Sequence, residues 1–206
     1  MAVQLYNEWH KEDKAMEVAA QSQIEDFDWI PLYEELALLL VQYEDRQDEL
    51  IALLDRLRDA GLPTTPINDK DADGHRFLMK EIDPFTFFGS FNRGQSVEKR
   101  QEIIRELIDF FGAKNRVPNN FDGIPTLNNQ SSWFISYAAE RGKDDVGTLW
   151  KLFKLALEDD PLKNPEFIST LNDSFLIRGV GTNITQALFW IQSEKFISFD
   201  SRNREY

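Results

Sequence analysis

Residues 176–203 read LIRGVGTNITQALFWIQSEKFISFDSRN. Gly179 and Gly181 predict a tight turn, because glycine adopts positive φ angles and lets another backbone approach closely. Thr182 or Asn183 can then cap the helix that follows. A glycine turn before a helix N-terminus presents free backbone N–H groups, and such groups bind phosphate. The stretch therefore predicts a turn between two helices, with a phosphate site at its tip.

The turn resembles the hairpin of helix-hairpin-helix DNA-binding proteins, which places such an element near residues 172–192. In the DNA glycosylases of that superfamily an aspartate follows the second glycine at a spacing close to that of Asp200, nineteen residues beyond Gly181. Asp200 is either the cap of a further helix or a catalytic carboxylate, and the turn itself could be only a connection between helices. The resemblance implies these contacts to the DNA backbone: Arg178, Gly179, Gly181, Thr182, Arg202 and Arg204.

Apolar residues recur at three- and four-residue spacing along most of the chain, which is the period of a helix. Residues 31–60 contain two such regions and predict a helical hairpin, whereas residues 62–76 predict a loop. Residues typical of helix ends bound the later helices, namely Ser96, Gly112, Ser131, Asp144 and Asn164. Because no useful run alternates with a period of two, the sequence predicts an all-α, multi-helix domain over residues 30–206. We expect at least seven helices, preceded by an acidic appendage at residues 1–29.

Composition limits the chemistry that the chain can carry. Its 206 residues include no cysteine and only two histidines, His10 and His75, so disulfides and thiolate metal sites are excluded. We therefore predict neither a metal nor a cofactor. The N-terminus lacks the apolar region of a signal peptide, and no apolar run approaches the length of about 18 residues that a membrane span needs. The sequence predicts a cytoplasmic protein without a membrane partner.

The negative charge is distributed unevenly. The net charge is −13, and residues 1–60 alone carry five Lys or Arg against fifteen Asp or Glu. A net acidic chain argues against nucleic acid as a partner when it is taken as a whole. Residues 61–206 are close to neutral, however, with eighteen basic against twenty-one acidic side chains. We expect the acidic helices within 31–60 to face away from any bound DNA.

The central segment 82–94, IDPFTFFGSFNRG, contains four phenylalanines within seven residues. Such density predicts a buried segment, although aromatic faces can also form a wall for a planar ligand. The amides at 128–130, in the sequence NNQ, can read the hydrogen-bonding edges of a base or can cap the helix predicted near Ser131. The candidates for a base pocket are Phe87, Phe88, Asn92, Arg93, Asn128, Asn129, Trp133 and Trp190.

Three blocks in this order resemble the N-terminal region of McrB-like AAA+ ATPase/GTPase proteins, the motor subunits of modification-dependent restriction systems. The blocks are IDPFTFFGSFNRG, FDGIPTLNNQSSWF and LFWIQSEKFISFDSRNREY. The resemblance covers roughly residues 30–206 and implies a DNA-recognition module that reads modified or flipped bases in phage defence. It also implies a AAA+ motor domain in the same or a partner chain, and a nuclease subunit reached through that motor. No GxxxxGK[ST] motif occurs in these residues, so we expect a recognition fragment or a stand-alone relative.

Three functions stay open at this point. The first is the recognition module without catalysis of its own. The second is a monofunctional glycosylase-like enzyme that uses Asp200, since Thr182 and Asn183 stand where strand-cleaving relatives carry a lysine. The third is an acidic protein-interaction or regulatory adaptor, which the net charge favours. The chain is therefore more readily interpreted as a binding protein than as an enzyme.

Overall fold

The computed structural model describes residues 27–199 and is mostly helical, which confirms the helical prediction. The described residues contain seven α-helices, as expected. These are α1 (Ile30–Leu40), α2 (Gln47–Asp59), α3 (Pro84–Gly89), α4 (Val97–Phe111), α5 (Asp145–Ala156), α6 (Pro165–Ser174) and α7 (Asn183–Ile191). Short 3-10 turns lie at Val41–Tyr43 and Pro161–Lys163. None of these helices is both long and apolar enough to cross a membrane.

Several helices begin and end at the residues that the sequence indicated. The Ser96 side chain accepts a hydrogen bond from the Lys99 N–H group at 3.3 Å, and α4 ends at Gly112 in the left-handed region. Asn164 caps α6 in the same way by accepting from the N–H group of Glu166 at 2.8 Å. Each cap satisfies a helix-end group that has no partner within the helix. These boundaries were readable because a cap acts within one turn of its helix.

Residues 62–76 were predicted to form a loop, but two short strands lie in and just beyond this range. Strands β1 (Asn68–Lys70) and β2 (Arg76–Leu78) pair antiparallel, with Asp69 opposite Phe77. The connecting turn is held by Asp71, whose carboxylate accepts a hydrogen bond from the His75 N–H group at 2.8 Å. Strands of three residues are too short to show a two-residue alternation. The all-α prediction is therefore wrong in this respect: the fold is mostly helical with a two-stranded sheet.

The helix predicted near Ser131 is absent, because side chains from distant segments bind the backbone there. The Phe134 N–H group donates to Thr86 Oγ1 at 2.8 Å, and the Ala138 N–H group donates to Asp69 Oδ1 at 2.7 Å. The Ser132 hydroxyl is buried and lies 2.6 Å from the hydroxyl of Thr65. A backbone N–H group that donates to such a partner no longer donates to a carbonyl four residues earlier. Residues 131–144 are irregular for this reason.

Helix α3 lies at the centre of the molecule, packed against both α5 and α7. Every residue from Ile82 to Asn92 is buried, which confirms the predicted burial of the phenylalanine-rich segment. Its rings contact aromatic side chains from three different helices: Phe85 lies 5.5 Å from Phe153, Phe87 lies 5.8 Å from Phe111, and Phe88 lies 6.0 Å from Tyr33. Aromatic packing around this short helix therefore joins the N-terminal helices to the C-terminal ones.

Trp29 also belongs to this core, although the sequence analysis placed it in the appendage. Its side chain is fully buried, and its indole N–H group donates to the carbonyl of Asp122 at 3.0 Å. The preceding Phe27 covers Gly123, where a β-carbon would stand only 2.4 Å from the ring. The packed body therefore includes residues 27–29. Residues 1–26 of the predicted appendage lie outside the described part of the chain.

Asp83 is the N-cap of α3, and its burial predicts that the stability of the protein depends on pH. Its carboxylate is fully buried and accepts hydrogen bonds from the N–H groups of Phe85 and Thr86 at 3.0 and 2.9 Å. Burial raises the pKa of Asp83 from 3.8 to about 6, although the hydrogen bonds oppose the rise. Between pH 3.8 and about 6, the folded protein consequently keeps a proton on Asp83 that the unfolded chain has released. Stability from this group is complete below pH 4 and is lost as the pH rises through 6.

Asp83→Asn is expected to remove this pH dependence, because asparagine cannot titrate but caps a helix about as well. The free energy of unfolding of the wild type relative to the variant should fall by up to about 3 kcal/mol as the pH rises from about 4 to 7. Urea denaturation at several pH values measures this difference. Asp144→Asn, at the exposed start of α5, controls for the general loss of one negative charge. Parallel pH profiles of the wild type and Asp83→Asn would contradict the prediction.

Candidate nucleic-acid interface

The glycine turn lies between α6, which ends at Ser174, and α7, which begins at Asn183. Both glycines have positive φ angles, +111° at Gly179 and +46° at Gly181. Val180 between them is fully buried, and its N–H group donates to the carbonyl of Ile177 at 3.3 Å. A buried residue between two exposed glycines anchors the turn in the core and leaves its tip at the surface.

The tip of the turn presents backbone donors. The N–H groups of Gly179 and Gly181 have no acceptor among residues 27–199, and both glycines are exposed. Thr182 occupies the N-cap position of α7, but its side chain does not accept a bond from the helix N–H groups. The N-terminus of α7, which is the positive end of its helix dipole, begins at Asn183, two residues after Gly181. Such an arrangement can hold an anionic group.

The turn packs closely against the irregular segment that follows residue 131. A β-carbon on Gly179 would stand 3.4 Å from the backbone of Ile135. The carbonyl of the neighbouring Arg178 accepts a hydrogen bond from the Ser136 hydroxyl at 3.0 Å. Glycine at 179 thus has two purposes here, since it supplies the positive φ angle and lets the two backbones approach.

An open cleft of about 720 Å³ lies where this turn, the 129–140 segment and the two-stranded sheet meet. Its volume is within the range of about 300–1,000 Å³ that is usual for small-molecule sites. The lining combines aromatic rings, amides, hydroxyls and both signs of charge. The residues are Pro66, Asn68, Arg76, Asn129, Gln130, Ser131, Ser132, Trp133, Ile135, Ser136, Tyr137, Glu140, Arg178 and Gly179.

Two aromatic side chains form one wall of the cleft. The rings of Trp133 and Tyr137 meet edge to face, with centroids 5.4 Å apart and an interplanar angle of 65°. Trp133 is held by its indole N–H group, which donates to the carbonyl of Pro66 at 2.7 Å. Tyr137 is 45% exposed, so much of its ring is open to a ligand. The pair offers π-faces on which a planar group can stack.

Two arginines and one glutamate give the cleft its charge. Arg178 Nη1 lies 2.7 Å from Glu140 Oε2, and both side chains are largely exposed. Arg76 lies on β2 and is exposed as well. Glu140 therefore pairs with Arg178, whose guanidinium was predicted to bind a DNA phosphate. A phosphate at Arg178 competes with this carboxylate for the guanidinium and is repelled by its charge.

The side-chain amides of Asn128 and Asn129, which were predicted to read a base, already make hydrogen bonds within the protein. Asn129 Oδ1 accepts a hydrogen bond from Arg93 Nε at 3.1 Å, and its Nδ2 donates to the carbonyl of Gly94 at 3.0 Å. Asn128 accepts from the N–H group of Gln130 at 2.9 Å and does not line the cleft. Arg93 braces the loop rather than the cleft, because it also donates to the carbonyls of Thr64 and Asn129.

The remaining predicted pocket residues lie in the core instead of at the cleft. Phe87, Phe88 and Trp190 are at most 1% exposed, and Trp190 donates its indole N–H group to the carbonyl of Pro125 at 2.8 Å. Asn92 is fully buried, where its Oδ1 accepts a hydrogen bond from the Tyr33 hydroxyl at 2.8 Å. These four side chains cannot meet a ligand at the surface, because neighbouring side chains cover them.

The C-terminal candidates Asp200, Arg202 and Arg204 lie outside the described residues. The cleft also contains side chains that were not predicted from the sequence, namely Asn68, Arg76, Tyr137 and Glu140, and it contains Gln130, the third of the amides at 128–130. Tyr137 was the most accessible to sequence reasoning, since it lies four residues after Trp133. Asn68 and Arg76 carried no signal, because the sheet that positions them is too short to predict.

One group of side chains among the described residues could hold a metal ion. Asp71, Asp73 and His75, in the turn of the two-stranded sheet, bring ligand atoms within 4.8 Å of one another. His75 Nδ1 already lies 3.3 Å from Asp71 Oδ2. The group is open to solvent, and exposed acidic side chains commonly cluster without an ion. We therefore assign it no function.

Residues 29–206 match a family model described as a domain of unknown function, DUF8425. A search of curated proteins and a search of solved structures each returned no match.

Proposed function

This chain belongs to the DUF8425 family of domains of unknown function, and from its cleft we propose that it is a DNA-recognition module without catalysis of its own. The observation that carries the proposal is the junction of the glycine turn with the aromatic wall. Gly179 and Arg178 line the same cleft as Trp133 and Tyr137. One nucleotide contains both a phosphate and a planar base, so it can occupy both parts at once.

The phosphate binds at the turn. Gly179 and Gly181 offer two backbone N–H groups without acceptors in the described chain, α7 begins two residues after Gly181, and Arg178 immediately precedes the turn. Backbone donors and a helix dipole bind phosphate without reading sequence, so this part sets position rather than specificity. It acts as the hairpin of a helix-hairpin-helix element, in agreement with the resemblance of residues 172–192.

The base enters the cleft and stacks on the exposed ring of Tyr137, against which Trp133 packs edge to face. A paired base inside a duplex cannot reach such a wall, so the nucleotide is unstacked or flipped out of the helix. Asn68 and Gln130 supply amides that can read a base edge, as the buried or engaged asparagines cannot. A modified base is the natural target, because its extra group adds contacts within an open cleft.

The resemblance to McrB-like proteins supports the same function and extends it. Binding of modified DNA by the module would activate a AAA+ motor domain in the same or a partner chain. That motor would in turn activate a nuclease subunit, as in modification-dependent restriction and phage defence. The acidic surface of α1 and α2 then faces away from the DNA, because its charge repels phosphate.

Arg178→Gln is expected to weaken binding to every DNA sequence equally and to reduce the slope of log Kd against log salt by about one phosphate contact. Glu140→Gln is expected to act in the opposite direction, because it frees Arg178 and removes a negative charge from the cleft. Fluorescence anisotropy with a labelled duplex at several salt concentrations measures both slopes.

Arg105→Gln is the matched control, since Arg105 is exposed on α4 and outside the cleft lining. It should leave the affinity and its salt dependence close to those of the wild type. No salt-dependent binding by the wild type would contradict the recognition module and favour the acidic adaptor. Release of a free base from a modified duplex would instead favour the glycosylase-like enzyme that uses Asp200.

A further inference from the structure

Glu140 places a hydrogen-bond acceptor in the cleft close to the ring on which a base stacks. Its N–H group donates to the carbonyl of Tyr137 at 2.8 Å, so the chain turns between these two residues, and both of them line the cleft. The Glu140 side chain is 48% exposed and therefore accessible to a ligand. An ionised carboxylate has about four acceptor sites and no donor. Its contact with Arg178 at 2.7 Å consequently leaves acceptor sites for a base.

Arg76 supplies donors to the same cleft. It lies on β2, is exposed and belongs to the cleft lining. Within the range 27–199, no carboxylate lies within 4.0 Å of its guanidinium, and its side chain makes no hydrogen bond. A guanidinium has five N–H donors and no acceptor. Arg76 is therefore available to a ligand, whereas Arg178 is already paired with Glu140.

Guanine is the base whose edges match these two groups. Its Watson–Crick edge presents two adjacent donors, N1–H and the 2-amino group, which the two oxygens of a carboxylate can accept together. Its opposite edge presents two adjacent acceptors, O6 and N7, which arginine binds with two donors. Adenine and cytosine place a ring nitrogen acceptor beside their amino group, and thymine has one N–H group between two carbonyls. A carboxylate meets a repelling acceptor on each of these three bases.

On the basis of the proposed DNA recognition, we propose that the cleft selects guanine. Glu140 accepts from N1–H and the 2-amino group, Arg76 donates to O6 and N7, and the base stacks on Tyr137. A guanine derivative fits equally when its modification leaves both edges free. Only an extruded base can expose its Watson–Crick edge in this way, because pairing occupies that edge in a duplex.

The test uses fluorescence anisotropy on four labelled duplexes that differ only in the nucleotide opposite an abasic site: dG, dA, dC or dT. We expect the wild type to bind the dG duplex with a Kd about 5- to 150-fold lower than that of each other duplex, which is the discrimination that one bidentate contact provides.

Two analogues of guanine examine the edges one at a time. Deoxyinosine lacks the 2-amino group, and 7-deazaguanine lacks the N7 acceptor. Each should raise the Kd of the wild type severalfold, since each removes half of one bidentate contact. In Glu140→Gln, dG and deoxyinosine should bind about equally, because an amide cannot accept from two donors. In Arg76→Met, dG and 7-deazaguanine should bind about equally.

The readout is the ratio of two Kd values for the same protein, because Glu140→Gln also raises the general affinity for DNA. Glu49→Gln is the matched control for the carboxylate. Glu49 pairs with Arg46 at 2.6 Å, is 41% exposed and lies outside the cleft lining. Arg105→Met is the control for the guanidinium, since Arg105 is exposed on α4. Both controls should keep the wild-type preference for dG.

Equal affinity of the wild type for all four duplexes, or preference for another base, would overturn the selection of guanine and leave the DNA-recognition module standing. Absence of binding to every duplex would overturn both proposals. A wild type that binds deoxyinosine and 7-deazaguanine as tightly as dG would refute the contacts to the two edges, and this result does not depend on the folding of any variant. An unchanged preference for dG in Glu140→Gln would exclude Glu140 as its source.

Discussion

Asp69→Ala is expected to lower the free energy of unfolding by about 3–5 kcal/mol, because it leaves a buried arginine without its closest partner. Arg141 Nη2 lies 2.6 Å from Asp69 Oδ2, and the two side chains are only 5% and 1% exposed. Glu81 is the other acidic partner of Arg141 at 2.7 Å, but its side chain is 47% exposed. Water screens that second contact, so it cannot replace the first.

The loss should also reach the cleft, since the same carboxylate joins two segments. Asp69 Oδ1 accepts hydrogen bonds from the N–H groups of Lys70 and Ala138 at 2.8 and 2.7 Å. Arg141 in turn donates from Nε to the carbonyl of Ser136 at 3.1 Å. These bonds attach the segment that carries Tyr137 to strand β1. Without them, the aromatic wall loses its support.

Urea denaturation measures the change, and Lys151→Gln provides the comparison. Lys151 pairs with Glu166 at 2.7 Å, but the side chains are 51% and 58% exposed, so we expect a loss of only about 0–1 kcal/mol. Replacing Asp69 and Arg141 together by leucine and methionine should cost less than the sum of the single changes, because no buried charge is left unpaired. A loss for Asp69→Ala no larger than that for Lys151→Gln would show that the pair is unimportant.

Tyr137→Ala is expected to weaken the binding of an unstacked nucleotide by about 1–3 kcal/mol, or about 5- to 150-fold in Kd, because the base loses its stacking surface. The side chain is 45% exposed, so its removal should disturb the fold little. Trp133→Ala should have at least as large an effect, since it also removes the bond to Pro66. Trp133→Phe keeps a π-face and should retain most of the affinity.

The measurement compares a duplex that carries one nucleotide opposite an abasic site, which is easily extruded, with a fully paired duplex. The wild type should prefer the first duplex, and Tyr137→Ala should remove most of that preference. Phe175→Ala is the matched control, because Phe175 is an aromatic residue that is 46% exposed and lies outside the cleft lining. Equal affinities of the wild type and Tyr137→Ala for the extruded nucleotide would exclude the aromatic wall from recognition.

Aromatic residues illustrate how far the sequence could locate the cleft. The phenylalanine-rich segment indicated burial through its density alone, and its rings are buried. The same reasoning could not tell which aromatic side chains stay exposed, so Phe87, Phe88 and Trp190 were selected together with Trp133. The exposure of a ring depends on which elements pack over it, and the local sequence pattern does not reveal those elements.

The sequence by itself determined most of the helices, the caps at Ser96 and Asn164, the buried aromatic segment and the glycine turn, because each depends on residues within about two helical turns of one another. Tertiary structure alone decided that residues 131–144 are irregular and that they form a wall of the cleft. The partners that bind this segment, Thr86 and Asp69, lie 48 and 69 residues away from Phe134 and Ala138 in the chain. Hydrogen bonds over such separations form only when the chain has folded, and they prevail over the local preference for a helix because a buried N–H group must find an acceptor.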